Sequence, residues 1–155
     1  MDITLKPYLR TFLKSVKLGE IMIREVISVR LGALFSEVES LMRMNHIRHI
    51  PVVMPDNQLI GLMTQRDLYR IASPHISEDG GRFYLKEYLD RFILEHVMIK
   101  NPFAMKEDDS LADALIAMGQ HRYGCVLVTS DCGKLTGIIT LADIVNLAAN
   151  IVTPD

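Results

Sequence analysis

The chain of 155 residues has no tryptophan and only two cysteines. Cys125 and Cys132 lack the CxxC spacing that a redox dithiol or a zinc site favours, so both are expected to be reduced and inert. Cys125 opens an apolar run and reads as a small buried hydrophobe. An excess of one charge is missing too. With 17 Lys+Arg against 19 Asp+Glu the formal net charge is -2, and no global field draws the protein to nucleic acid or to an anionic membrane. Apolar runs such as Val126-Leu127-Val128 fall far short of the roughly 20 residues a spanning helix needs. "MDITLKPYLR" at the amino end has neither the apolar core nor the small-residue cleavage site of a signal peptide, and a cytoplasmic protein is expected. Also absent are G-x-S-x-G, a Walker A loop and H-E-x-x-H. That favours a binding module over an enzyme, with no catalytic residue assigned.

What is present is a repeat. Hydrophobic residues make up 49% of the chain, enough for one core or for two small ones sharing an interface. "GLMTQRDL" at 61–68 returns as "GIITLADI" at 137–144, and a shift of 76 residues aligns 22–72 with 98–148 without a gap. The identities are Met22/Met98, Ile23/Ile99, Met42/Met118, Val52/Val128, Leu59/Leu135, Gly61/Gly137, Thr64/Thr140, Asp67/Asp143 and Ala72/Ala148.

Each copy reads as β-α-β-β-α. Short strands are expected at 26–29 and 103–105. Helical stripes follow, Phe35, Val38, Leu41 and Met42 in copy one and Leu111, Ala114, Leu115 and Met118 in copy two. Ser110 with Asp113 three residues on is a helix-start signal. Two strands joined by a tight turn come next, through "PDNQ" and "SDCGK", and helices at 66–72 and 142–149 close the copies. A unit of about 50 residues leaves a sheet face uncovered, so the two copies are expected to stack as a pseudo-twofold pair with clefts between them.

The fold class is therefore α/β (α+β), organised as an amphipathic helix at 1–19, repeat one at 20–72, a linker loop and helix at 73–96, repeat two at 97–150 and a tail at 151–155. In the first segment Leu5, Leu9, Phe12, Leu13 and Val16 share a face, and Pro7 suits a first turn. The linker starts as "SPHISEDGG" and continues as a helix carrying Tyr84, Leu85, Tyr88, Leu89, Phe92 and Ile93. These two stripes exceed what a small pair of repeats needs to cover itself, and a homodimer is expected.

Threonine followed three residues later by an acid, as in Thr64/Asp67 and Thr140/Asp143, is a capping-box pattern. The same geometry suits a ligand, because a carboxylate at a helix start accepts two hydrogen bonds from the vicinal hydroxyls of a ribose, and free helix amides bind anions. The two readings are compatible, and spacing does not separate them. Near copy one stand Arg48, His49 and Arg66; at the aligned positions of copy two stand Gly124, Cys125 and Ala142, with His121 and Arg122 close by as substitutes. Leu127 replaces Pro51. An anionic ligand is expected to find the two sites unequal. His46 and His49 lack a carboxylate or cysteine at ligand spacing, so no metal is assigned. Glu107, Asp108 and Asp109 precede a helix whose dipole favours them there.

"IRHIPVV" followed by "LIGLMTQRDL", with "VMIKNPFAM" ahead of the second copy, resembles the cystathionine-β-synthase (CBS) domain family over about residues 20 to 150. The resemblance implies a Bateman module that binds adenosine-containing nucleotides such as AMP, ADP or ATP as regulatory ligands, with no obligatory cofactor. It implies that Asp67 and Asp143 hold the ribose, that Thr64 and Thr140 touch sugar or phosphate, and that the strands bearing Ile27, Pro51, Pro102 and Phe103 line the base. The expected partners are a second copy and an unidentified regulated protein, with no nucleic acid and no membrane. "RDLYRIASP" with the insert after it is similar to stand-alone proteins of the acetoin-utilisation type. The alternative is a ligand-free dimerisation or protein-interaction module.

Overall fold

The structure, a computed structural model, describes residues 5–152. In chain order the elements are α1 (Leu5–Ser15), α2 (Leu18–Ile21), β1 (Val29–Arg30), α3 (Phe35–Asn45), β2 (His49–Val53), β3 (Leu59–Thr64) and α4 (Gln65–Ile71). The linker carries β4 (His75–Ile76), β5 (Arg82–Phe83), α5 (Lys86–Leu89) and α6 (Leu94–Val97). Then come β6 (Ile99–Lys100), β7 (Ala104–Met105), α7 (Leu111–His121), β8 (Cys125–Thr129), β9 (Leu135–Thr140) and α8 (Leu141–Val152). This mixed α+β order contains the β-α-β-β-α unit twice.

The chain divides into two compact units, one formed by residues 27–102 and the other by 1–26 together with 103–155. In the continuous unit the sheet order is β1-β2-β3-β6. Phe35, Val38 and Met42, at three- and four-residue spacing on α3, lie buried over Ile50, Val52 and Met63. The linker supplies Leu89 and Leu94 to the same core, and Met98 at the start of the second repeat joins them. In the split unit the sheet is β7-β8-β9, and Leu18 and Met22 join Leu111, Ala114, Met118, Val126, Val128 and Ile139. Each of these side chains larger than alanine contributes about 1.5–3 kcal/mol on full burial.

Each sheet therefore borrows its last partner from the opening residues of the other repeat. β6 pairs antiparallel with β3 through Leu62↔Ile99 and Gly61↔Lys100. At the equivalent place in the other unit Ile23 bridges Ile138, with N–H···O distances of 2.9 and 3.0 Å. Three of the repeated identities meet here: Met98 lies over Gly61 and Met22 over Gly137, where a Cβ on either glycine would overlap the methionine sulfur.

Three expectations are corrected. The strand expected at 26–29 is only Val29–Arg30. In the other unit Ala104 pairs with Leu127, but in this one the matching rung falls on Pro51, which has no N–H, and pairing starts one residue later at Val29↔Val52. The long helix expected from Tyr84 to Ile93 is broken. Gly80, at φ 80°, turns "HISEDGGRF" into the β4–β5 hairpin, and the helix that remains is the four-residue α5, ended at Asp90. Finally, α1 turns only part of its apolar face inward: Leu13 and Val16 pack on the core of the split unit, while Leu9 and Phe12 stay exposed. The parts of the helix expected at 1–19 and of the tail expected at 151–155 that fall on residues 1–4 and 153–155 lie outside the described residues.

Asp90 has a second role. α7 is capped by Ser110, whose hydroxyl accepts from Asp113 N–H at 3.2 Å. The aligned residue before α3 is Leu34, which has nothing to offer. Asp90 replaces it, accepting from Ser36 N–H and from its hydroxyl, both at 2.9 Å. Asp90→Ala is predicted to cost about 1–2 kcal/mol, the range of a lost cap. Equilibrium urea unfolding is the check, and a variant as stable as the parent would show that this carboxylate caps nothing of value.

Candidate functional site

The chemistry-bearing residues gather where β3 turns into α4 and β9 into α8. In both places the antiparallel ladder ends on the motif threonine: His49 lies opposite Thr64, and Cys125 opposite Thr140. The first helix amide is then taken by the residue ahead of the neighbouring strand, Gln65 N–H donating to Arg48 C=O at 2.9 Å and Leu141 N–H to Gly124 C=O at 3.2 Å. The Arg48 backbone thus helps to start α4, whatever its side chain does.

The aspartates fold back on the threonines. Asp67 Oδ2 accepts from Thr64 N–H at 2.9 Å and from its hydroxyl at 2.6 Å. Asp143 Oδ2 does the same with Thr140 at 2.8 and 2.6 Å. A carboxylate has about four lone-pair sites, so the cap occupies one oxygen and leaves Oδ1. The two copies differ at that atom. Arg70 comes within 3.7 Å of Asp67 Oδ1, and Asp67 is 4% exposed. Asp143 is only half-buried, Asn146 stands in Arg70's place, and no ion pair reaches it among the described residues. The capping reading is therefore observed in both copies, with an acceptor left over that is freer in copy two.

Of the basic residues expected to read phosphate, Arg48 and Arg66 are exposed. His49 is half-buried, and burial, with Arg48 alongside, holds its imidazole below the ordinary histidine range. It is mostly neutral at pH 7. Because the folded state disfavours the proton that the unfolded chain takes up near pH 6.5, this residue's contribution is complete above that pH and is lost as pH falls below it. Urea unfolding at pH 7.5 and 5.5 should show a smaller loss in His49→Gln than in the parent; an equal loss would place the titrating group elsewhere. The exposed carboxyls held below their usual range, Asp79 by Ser77 and Glu107 by Arg24, act in a more acidic window.

The residues expected to line a base are unevenly exposed. Ile27 and Pro102 are half-buried and Pro51 is buried in β2. Phe103, 40% exposed, stacks on Tyr123 with centroids 5.2 Å apart and an interplanar angle of 22°. Tyr123 stacks in turn on His121, also at 5.2 Å, which ties His121 to a ring stack. Sequence reasoning passed over Arg70, although its i,i+3 spacing from Asp67 was readable, and Tyr123, whose partner is distant in the chain. Cys125 is buried and its thiol is pushed up to about 12. Cys132 is exposed, with its thiol lowered by the Ser130 hydroxyl, so the two cysteines differ in exposure and in the direction of their shift.

The CBS domain profile matches residues 18–73 and 94–150, and the chain belongs to the CBS domain family. Among curated relatives, the homoserine O-acetyltransferase of Methanohalophilus mahii is 25% identical over 132 residues, 85% of this chain and 24% of that protein. The chain spans 24%, 45% and 21% of the first three curated relatives it matches. Among solved structures, a Vibrio cholerae protein assigned provisionally to acetoin utilization (AcuB) has a TM-score of 0.73 at 26% identity, over 88% of this chain and 93% of that one. CBSX2, solved in complex with AMP, has a TM-score of 0.73 at 18% identity over 90% of this chain and 100% of that one. Among the described residues no helix is long and apolar enough to cross a membrane.

Proposed function

We propose that this CBS pair is a regulatory, non-enzymatic module that binds an adenosine-containing nucleotide, AMP, ADP or ATP, and needs no resident cofactor. One observation carries the reading: Asp143 Oδ1 keeps its acceptor capacity at a helix start after Oδ2 has been used by the cap. A vicinal diol has the two donors to fill it. Asp67 plays the same part in copy one against competition from Arg70, Thr64 and Thr140 orient the carboxylates, and Arg48, His49 and Arg66 receive phosphate. Ile27, Pro51 and Pro102 serve the base in the continuous unit, and Phe103 does so in the split unit. AMP in the CBSX2 structure supports the ligand class. Titration calorimetry with AMP, ADP, ATP and adenosine is the test, and no binding of any of them at millimolar concentration would defeat the reading.

A second reading, a ligand-free docking module, is favoured by the exposed apolar side chains of α8, Val145 at 65% and Ile151 at 59% among them, and by Tyr8, Leu9 and Phe12 on α1. These surfaces also suit a homodimer of the nucleotide-binding form. Light scattering distinguishes monomer from dimer, and a dimer that takes up no nucleotide would select the second reading.

A further inference from the structure

The linker does more than complete a core. In the continuous unit a groove of about 420 Å³ lies between the end of α3, one face of α4 and the hairpin strand β5, a size typical of small-molecule sites. Gln65, Leu68 and Tyr69 of α4 line it, whereas Asp67 does not; it is thus separate from the carboxylate of the capping motif. Arg43, Arg48 and Arg82 converge on it. Glu39 engages Arg43 at 3.1 Å, but among the described residues neither Arg48 nor Arg82 has an ion pair or a side-chain hydrogen bond. At its wall the Tyr84 hydroxyl is fully buried and has no hydrogen-bond partner, although a buried hydroxyl without one is costly. Burial, with Tyr69 and Glu39 acting in the same direction, keeps that hydroxyl protonated against the opposing pull of Arg82, so it is a donor in need of an acceptor.

We infer that this groove binds a small phosphomonoester, its phosphoryl oxygens held by Arg48, Arg82 and the Tyr84 hydroxyl and its organic part resting on Ile47 and Leu68. A phosphoryl group answers each feature: it presents several acceptor oxygens, it matches the guanidinium fork, and it supplies the acceptor that Tyr84 lacks. The groove shares Arg48 with the nucleotide reading above, whereas Arg82 and Tyr84 belong to the groove alone, so a loss in Arg82→Ala or Tyr84→Phe reports on the groove and not on the capping motifs. Arg82 and Tyr84 lie in the linker, outside the repeated unit, so the second repeat has no counterpart.

Calorimetry on the full chain with phenyl phosphate, inorganic phosphate and phenol is the test. Phenyl phosphate should bind, inorganic phosphate more weakly and phenol not at all. Arg82→Ala should weaken phenyl phosphate by roughly tenfold or more and Tyr84→Phe by about fivefold, as expected for charge-assisted hydrogen bonds; Lys134→Ala, a change at an exposed lysine of the split unit, should leave it within about twofold. Without ligand, Tyr84→Phe should melt at or above the parent temperature because an unpartnered hydroxyl is removed, an effect that a merely structural tyrosine would not show. Absence of phenyl phosphate binding, unchanged affinity in Arg82→Ala, or a loss in Lys134→Ala as large as that in Arg82→Ala would each overturn the assignment.

Discussion

Replacing Asp143 with alanine should weaken AMP binding by roughly ten- to a hundredfold and leave thermal stability within a few degrees, whereas the same change at Asp67 should be felt first as a loss of stability. Hydrogen bonds to a charged group contribute about 1.5–3 kcal/mol net, and half-exposure of Asp143 reduces two such bonds toward the lower part of that range. Its cap with Thr140 is solvent-accessible, so water substitutes when the carboxylate is removed. Asp67 is 4% exposed and accepts both the amide and the hydroxyl of Thr64. Its removal strands two donors, at about 1–3 kcal/mol, and leaves Arg70 without its neighbour. Calorimetry and urea unfolding on Asp143→Ala, Asp67→Ala and Asp67→Asn separate the two roles. Parental AMP affinity in Asp143→Ala would refute the ribose assignment; an Asp67→Ala protein as stable as the parent would refute the structural one.

Gly137→Ala should cost about 1–3 kcal/mol, the range for overpacking a core, and more than Gly61→Ala. A Cβ at 137 overlaps the Met22 sulfur and also stands 2.8 Å from Met22 Cγ and 3.2 Å from its Cβ. Relief requires the Met22 backbone to move, and that backbone is pinned by the two Ile23–Ile138 hydrogen bonds. At Gly61 the next contacts after the Met98 sulfur are Cε and Cγ, both at 3.1 Å, farther along a flexible chain that can swing aside. Pairing Gly137→Ala with Met22→Ala should recover part of the loss, which a double-mutant cycle measures. Equal costs at the two glycines, or additivity in the cycle, would show that the methionine is not what the glycine accommodates.

Much of this was legible in the residues. The 76-residue offset placed the β-α-β-β-α order twice, because helical stripes and turn residues are local signals. The capping box was equally visible, since three-residue spacing at a helix start is itself the geometry. What the offset could not show was which sheet Met22 and Met98 belong to: a repeat says that two segments play one role, and the same pattern results whether each serves its own repeat or its twin. The linker misled for a different reason. Tyr84, Leu85, Tyr88, Leu89, Phe92 and Ile93 do follow a helical period, but Asp90 is drawn to α3, and the stripe is divided between a hairpin, a short helix and the turns around them. At the site, the exposure of Arg48 and Arg66 and the partial burial of His49 depend on tertiary packing that no local spacing reports.

The borrowed edge has a consequence for how the polypeptide is made. Residues 27–102 form a continuous unit and have all their sheet partners once that stretch has left the ribosome. Leu18 and Met22 do not: they are translated before the continuous unit, and the strands they cover, β8 and β9, are translated after it. During that interval an apolar stretch ahead of the continuous unit stays without a home, the kind of transient exposure that chaperones recognise. A fragment cut at the repeat boundary near residue 73 would keep this stretch and lose its destination. The natural minimal fragment is 27–102, which crosses the boundary between the repeats.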